Sequence, residues 1–263
     1  MKETQSMIRK KQGEIEWLEF ELFANKPIKH AVFLRKGGVS LDSFHSLNTI
    51  FETGDDPQNV EENLKRIQSA LNIETLISSY NVHGTHIELI YEAKNMVPDC
   101  DGLMTQQKNW GLLVNHADCQ ATIFYDPAHH ALAIVHAGWK GQADKIYHKT
   151  IDKMGQAFGT RPEDLLVAIS PSLGPKNSEF INYRVELPEE FWHFQVKPTY
   201  FDLWAISHHQ LEECGVAAHH IEIAEIDTYA HPEDFFSYRR EKAKGRLEKI
   251  TGCHATVAAL FPQ

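Results

Sequence analysis

The chain has 263 residues, 42% hydrophobic and 24% charged, a composition that belongs to a globular protein and not to a disordered one. Lys and Arg total 26 against 36 Asp and Glu, a formal charge of −10, which argues against a nucleic-acid backbone binder because that needs a basic face. The longest apolar runs, such as Ala131 to Val135, fall well short of the ~20 residues of a membrane-spanning helix, and Met1 to Lys11 lacks the apolar stretch of a secretory signal.

The cysteines at 100, 119, 214 and 253 form no CxxC pair, which fits reduced thiols in a cytoplasmic protein. No repeat or Ser/Gly linker divides the chain, so one domain over 1–263 is expected, with 1–12 as a flexible N-terminal tail. Of the 16 histidines, several sit in doublets (His129-His130, His208-His209, His219-His220), which read as surface positions.

In chain order, Glu14 to Phe23 partly alternates and predicts a strand, and Ala31 to Leu34 predicts a second one, broken by Gly37-Gly38. Asp56-Pro57 is a helix-start signal, and Val60, Leu64, Ile67 and Leu71 follow at helical spacing, so residues 57–72 form an amphipathic helix. The middle of the chain holds short apolar runs at 76–82, 87–91, 111–115, 121–125 and 131–136, which read as buried strands. Residues 142–158 predict a helix, 165–169 a strand, and 202–213 a helix ending near Gly215; runs at 221–226 and 255–260 close the sheet system. Strands come both in runs and alternating with helices, so an α+β class fits better than a doubly wound one.

Three segments place a His or Cys at or just past a strand end: Asn81-Val82-His83-Gly84, Asn115-His116-Ala117-Asp118-Cys119 and His136-Ala137-Gly138-Trp139-Lys140-Gly141. Zinc accepts His nitrogen and Cys sulfur, and catalytic zinc keeps three protein ligands and one open position, so His83, Cys119 and His136 make a candidate set. The same atoms also permit a Cys–His nucleophile pair oriented by Asp118 or Asn115, or a buried Cys beside two hydrogen-bonded histidines. Lys140, between glycines at a predicted helix start, suits an anion, and Arg35-Lys36-Gly37-Gly38 is a weaker candidate of the same type. Asp101 reads as a turn acid or a proton-transfer group, and Arg239 or Arg240, after Phe235-Phe236-Ser237-Tyr238, as closing an anionic pocket.

Together these segments resemble the multicopper polyphenol oxidase, or laccase-domain, family associated with purine nucleoside phosphorylase activity. Arg35 to Ser40 is similar to its RxGGVS turn, Ser46-Leu47-Asn48 to SLN, Val82-His83-Gly84 to QVHG, Ala117-Asp118-Cys119 to ADC, His136 to Gly141 to HAGW[RK]G, Phe201 to Trp204 to FDLW, and Phe235 to Arg240 to FFSYRR. The resemblance implies a layered α/β/β/α fold with mixed sheets, similar to that of the cytotoxic-necrotising-factor deamidases. It implies Zn2+, or Cu2+ in older descriptions, on His83, Cys119 and His136. It also implies phosphorolysis of adenosine, inosine and S-methyl-5′-thioadenosine, with deamination of adenosine; the alternatives are a copper-dependent polyphenol oxidase and a peptidoglycan-precursor editing hydrolase.

The expected partners are a purine nucleoside and phosphate, with no nucleic acid and no membrane. Asp118 and Lys140 are the catalytic candidates, and Arg35, Asn48, Lys140 and Arg239 the substrate-binding ones. The chain departs from the family pattern at Asn81, where Gln is usual, at His116, where Thr is usual, and at Ser172 and Asp227, where Cys is common.

Overall fold

The computed structural model describes residues 7–245 and 251–262. Two mixed sheets face each other. The first has seven strands in the order β1 (Ile8–Gln12), β2 (Ile15–Glu19), β3 (Ile28–Phe33), β15 (His254–Leu260), β8 (Trp110–His116), β4 (Thr75–Ser79) and β6 (Met96–Val97). The second has six, in the order β14 (Ile221–Ile223), β11 (Leu166–Ile169), β9 (Gln120–Asp126), β10 (Ala131–Ala137), β7 (Gly102–Thr105) and β5 (Ile87–Leu89). Among the named strands, parallel pairing joins β4 with its neighbours β6 and β8, β5 with β7, and β11 with β14. A small hairpin joins β12 (Gln195–Lys197) to β13 (Tyr200–Phe201).

Strand period explains the layers. In β10, Leu132 and Ile134 point between the sheets and pack with Leu112, Val114 and Leu260, while Ala131, Ala133 and Val135 meet the opposite layer. That outer layer is α3 (Ile146–Phe158), which contributes Ile146, Ile151 and Met154, together with Leu211 of α5 (Leu203–Glu213). On the far side, Val257 and Ala259 of β15 meet Ile67 and Leu71 of α1 (Pro57–Leu71). The order of layers is therefore helix, sheet, sheet, helix, and the strands buried on both faces are mostly apolar, with Gln120, Thr122 and Asp126 of β9 among the exceptions. Each fully buried Leu, Ile or Val contributes ~1.5–3 kcal/mol, so the two outer interfaces and the central one together dominate stability.

The helix ends follow their caps. Asp56 accepts a hydrogen bond from the Gln58 backbone N–H at 2.9 Å ahead of Pro57, and Asp202 accepts from Trp204 and Ala205 at 3.1 and 3.0 Å. The predicted helix over 142–158 is in fact two, α2 (Trp139–Ala143) and α3, because Lys145 takes a left-handed φ of 62° between them. The strand expected over 14–23 is β2 followed by a 3-10 turn at Glu21–Phe23.

The tail expected over 1–12 is corrected in part. Residues 8–12 form β1, an edge strand paired in register with β2, where Arg9 bonds Glu16 at 2.6 Å and Asp234 at 3.0 Å; residues 1–6 lie outside the described residues. The short strands β6 and β7, the four-residue α4 (Tyr183–Glu186), the 195–201 hairpin and α6 (Tyr238–Ala243) carry no pattern that the sequence reading used. Among the described residues no helix is long and apolar enough to cross a membrane.

Candidate functional site

The connections at one end of the sandwich converge on a cavity of about 830 Å³. His83 comes from the loop after β4, Cys119 from the turn between β8 and β9, and His136 from β10. One ligand atom from each lies within 4.8 Å of the others, and this is the one such group of three found among the described residues. His83 and His136 face each other edge to face at 4.8 Å between ring centroids. His136 is buried, Cys119 half-buried and His83 exposed, so the open side of the trio faces the cavity.

Asp101 assembles two of the three. Its carboxylate, fully buried, accepts backbone N–H groups of His83 at 2.9 Å, Gly84 at 2.7 Å and Val82 at 3.3 Å, and lies 3.0 Å from His136 Nδ1. Burial works to raise its pKa, but the hydrogen bonds from His136 and Gly84 prevail and the carboxyl stays below its usual value. A carboxylate can only accept, so Nδ1 of His136 carries a proton; burial acts downward on the His136 pKa, but the Cys119 charge and the Asp101 hydrogen bond outweigh it and raise it to about 9, so Nε2 must release its proton before it can hold an ion. The left-handed φ of 57° at His83 is the turn that lets three successive N–H groups reach one carboxylate.

Cys119 is held differently. Asp118, at a left-handed φ of 85°, accepts the Thr228 hydroxyl at 2.6 Å and the Arg239 backbone N–H at 2.6 Å, and its own carbonyl accepts the Leu173 N–H at 2.9 Å. Burial raises the Asp118 pKa, and these bonds offset only part of that. The Cys119 carbonyl lies 3.0 Å from Nδ1 of His116, whose Nε2 lies 2.7 Å from the Thr256 hydroxyl. A carbonyl accepts, so Nδ1 holds the proton, and burial keeps His116 neutral, its pKa pushed down to about 3. For the Cys119 thiol, burial acts upward, but the charge and hydrogen bonds of His136 and a hydrogen bond from His83 outweigh it and bring the pKa down to about 6.

A thiolate and two imidazoles are the donor types zinc and copper accept. The geometry fits an ion in a further way. A Cβ on Gly138 would lie 3.1 Å from Cys119 Sγ and 3.2 Å from His83 Nδ1, so glycine keeps the space beside both donors clear. His83, Cys119 and His136 therefore form a cradle that can hold a metal ion.

The other candidates are distributed unevenly. Asp118 and Arg239 line the cavity. Arg35 does not reach it: its guanidinium donates to the His45 carbonyl at 2.8 and 2.6 Å and to Pro232 at 3.2 Å, over the Phe236 ring. Asn48 is fully buried; its amide donates to Ile50 O and Asp55, and its oxygen accepts the Cys253 N–H at 2.9 Å, so it supports the cavity segment 49–53 from behind. Lys140 is exposed and pairs with Asp144 at 2.8 Å, one turn along α2, as an i,i+4 pair.

Sequence reasoning missed a polar chain on the cavity wall. Ser79 donates to Asn81 at 2.8 Å, Asn81 to the Asn115 carbonyl at 2.9 Å, and Thr49 to the Asn115 side chain at 2.6 Å. It also missed the apolar and aromatic rim, Tyr80, Met96, Phe180, Ile181 and Tyr238, and the cation Lys242. The spacing Arg239–Lys242 was a signal for the last, since i and i+3 share a helix face; the 180–182 segment offers no signal of its own.

The family model for multi-copper polyphenol oxidoreductase laccase matches residues 29–255. Among curated relatives, the purine nucleoside phosphorylase of Bacteroides thetaiotaomicron is 30% identical over 245 residues, covering 84% of this chain and 89% of that protein. The purine nucleoside phosphorylase YfiH of Escherichia coli strain K12 is 30% identical over 224 residues, 81% and 88% of the two chains. In structure, YlmD from Geobacillus stearothermophilus superposes with a TM-score of 0.85 at 26% identity over 97% of this chain and 100% of that one. YfiH from Bacillus licheniformis shares the fold with a TM-score of 0.84 at 24% identity over 96% and 98%.

Proposed function

We propose that this chain, which belongs to the multi-copper polyphenol oxidoreductase laccase family, is a zinc-dependent purine nucleoside phosphorylase. The observation that carries the reading is the convergence of His83, Cys119 and His136 on the wall of a cavity large enough for a nucleoside and phosphate, in a chain whose relatives bear that name. The substrates are adenosine, inosine and S-methyl-5′-thioadenosine, and the same centre deaminates adenosine.

His83, Cys119 and His136 hold the ion, which supplies Lewis acidity for an oxygen nucleophile or a leaving group. Asp101 fixes the protonated Nδ1 of His136 and the backbone path of His83, so the His136 ring and the His83 loop are set before substrate arrives. Tyr80, Phe180 and Tyr238 offer aromatic faces to the purine, and Asn115, Asn81 and Thr49 offer amide and hydroxyl groups along the wall. Arg239 binds the substrate from the opposite connection. In phosphorolysis a phosphate oxygen bonds to the ribose C1′ as the C1′–N9 bond breaks, and the electron pair leaves with the base, which takes up a proton. In deamination a water oxygen bonds to C6 and ammonia leaves.

The donor chemistry also supports a second reading, a copper-dependent polyphenol oxidase on the same residues, because thiolate and imidazole accept copper as readily as zinc. The two are separated by protein of known metal content incubated with adenosine, with and without phosphate, products being resolved by chromatography. Adenine formed only with phosphate supports phosphorolysis, and inosine supports deamination. Phenol oxidation that tracks bound copper supports the oxidase. None of these products from zinc-loaded protein would overturn the nucleoside reading and favour a peptidoglycan-precursor editing hydrolase.

A further inference from the structure

Resting on the phosphorylase reading and extending it, we infer that Arg239 and Lys242 of α6 form the seat of the phosphate oxyanion in the cavity. They are the only Lys or Arg side chains among the described residues lining it. Residues three apart on a helix lie on one face, so both present their charge from the same side.

Arg239 differs from the two other buried or half-buried arginines near the cavity. Arg35 spends its guanidinium on the carbonyls of His45 and Pro232, and Arg240 on those of Thr228, Tyr229 and Phe235. Arg239 uses only Nη1, which donates to the carbonyls of Asn177 at 3.1 Å and Glu179 at 3.0 Å. Its Nε and Nη2 edge has no hydrogen-bond partner among the described residues. A guanidinium edge carries two parallel N–H donors, which match two oxygens of a phosphate. The head group is thus clamped on one edge and open on the other.

Position ties this seat to the metal cradle. The Arg239 backbone N–H donates to Asp118, which immediately precedes Cys119, so the guanidinium and the thiolate hang from one rigid junction. Asp118 lies near enough to attract the Arg239 side chain, but its oxygens bond the Thr228 hydroxyl and the Arg239 backbone N–H and not the guanidinium edge. Glu52, Glu179 and Glu186 also line the cavity, and their carboxylates repel a dianion. In a chain of net charge −10, the α6 face is where an inorganic oxyanion is stabilised next to the trio.

The test uses zinc-loaded full-length protein and inorganic phosphate. Direct phosphate binding without nucleoside is measured by calorimetry at constant ionic strength, and the phosphate and nucleoside KM values by initial rates. Arg239→Gln is expected to weaken phosphate binding and raise its KM about 30-fold or more, leaving the nucleoside KM within about 3-fold, the size of a lost charge-assisted pair. Arg239→Lys should recover part of the loss, and Lys242→Gln should cost about 3- to 10-fold, being exposed. Zinc content of each variant reports whether the cradle is intact. Unchanged phosphate affinity in Arg239→Gln with full zinc, or no phosphate binding by the parent protein, overturns the seat. Phosphate binding that depends on Arg239 without any cleavage of nucleoside supports the seat and overturns the phosphorylase reading instead.

Discussion

Asp101 Oδ1 and His136 Nδ1 lie 3.0 Å apart, both buried, and the same oxygen accepts the His83 backbone N–H at 2.9 Å. One carboxylate therefore orients two candidate metal ligands that stand 53 residues apart in the chain. Asp101→Asn keeps the shape but removes the charge and makes one side of the group a donor. Zinc affinity should fall about 10- to 100-fold, the usual cost of losing such a partner, as read by chelator competition. Unchanged affinity would show that Asp101 only folds the loop.

Cys119→Ala removes the sulfur and leaves both sheets paired. The variant should purify folded by circular dichroism with a loss of most bound zinc, since two imidazoles remain of a three-donor set. Full zinc stoichiometry in that protein, measured by elemental analysis, would sink the cradle assignment.

Gly138→Ala probes the space beside the donors. Its Cβ would crowd Cys119 Sγ at 3.1 Å and His83 Nδ1 at 3.2 Å, closer than ordinary contact. Thermal stability of the metal-free protein should change little, while zinc affinity falls by about 10-fold or more. Equal losses in both measurements would place the strain in the fold and not in the cradle.

His30 provides a pH signature away from the site. It accepts the Phe20 N–H at 2.7 Å between Phe20 and Phe23, and burial pushes its pKa down to about 4. Above its unfolded value of ~6.5 both states are neutral and the stabilisation is complete. As pH falls from there toward 4 the unfolded chain binds a proton that the folded one refuses, so stability drops by roughly 3 kcal/mol at ~1.4 kcal/mol per unit, and no further below. Urea unfolding from pH 7 to 4 should show a smaller drop in His30→Gln than in the parent; His116 and His254, also depressed by burial, keep their share in both. Identical pH slopes would remove His30 from this account.

Asn48 is expected to act through the cavity segment it supports and not through substrate contact. Asn48→Ala removes the side chain that accepts the Cys253 N–H and donates to Asp55 and the Ile50 carbonyl, for a cost of about 1–3 kcal/mol. Denaturant midpoints check this directly, and an unchanged midpoint with a large loss of nucleoside binding would restore the direct role.

The legible part of the molecule is the part set by near neighbours in the chain. Pro57 after Asp56, Asp202 before α5, and the apolar runs of β8, β9, β10 and β15 each carry a local physical signal: a cap, a period or burial on both faces. The break at Lys145 went unread because a left-handed residue other than glycine leaves no mark in periodicity. The strands β6 and β7, with two and four residues, are too short to show a period, and exist because neighbouring strands complete their hydrogen bonds.

The amino-acid sequence alone determined the α+β class, the order of the main elements and, through the ordered motifs around His83, Cys119 and His136, the family. Spacings of 36 and 17 residues say nothing about distance, so only the tertiary structure decided that the three meet and that Asp101 holds the two histidine segments. It likewise decided that Lys140 turns to Asp144 and Arg35 to backbone carbonyls while Arg239 keeps one edge open to the cavity. The reason is that a residue's type fixes which partners it can take, whereas the packing of two sheets and two helix layers fixes which partners are within reach.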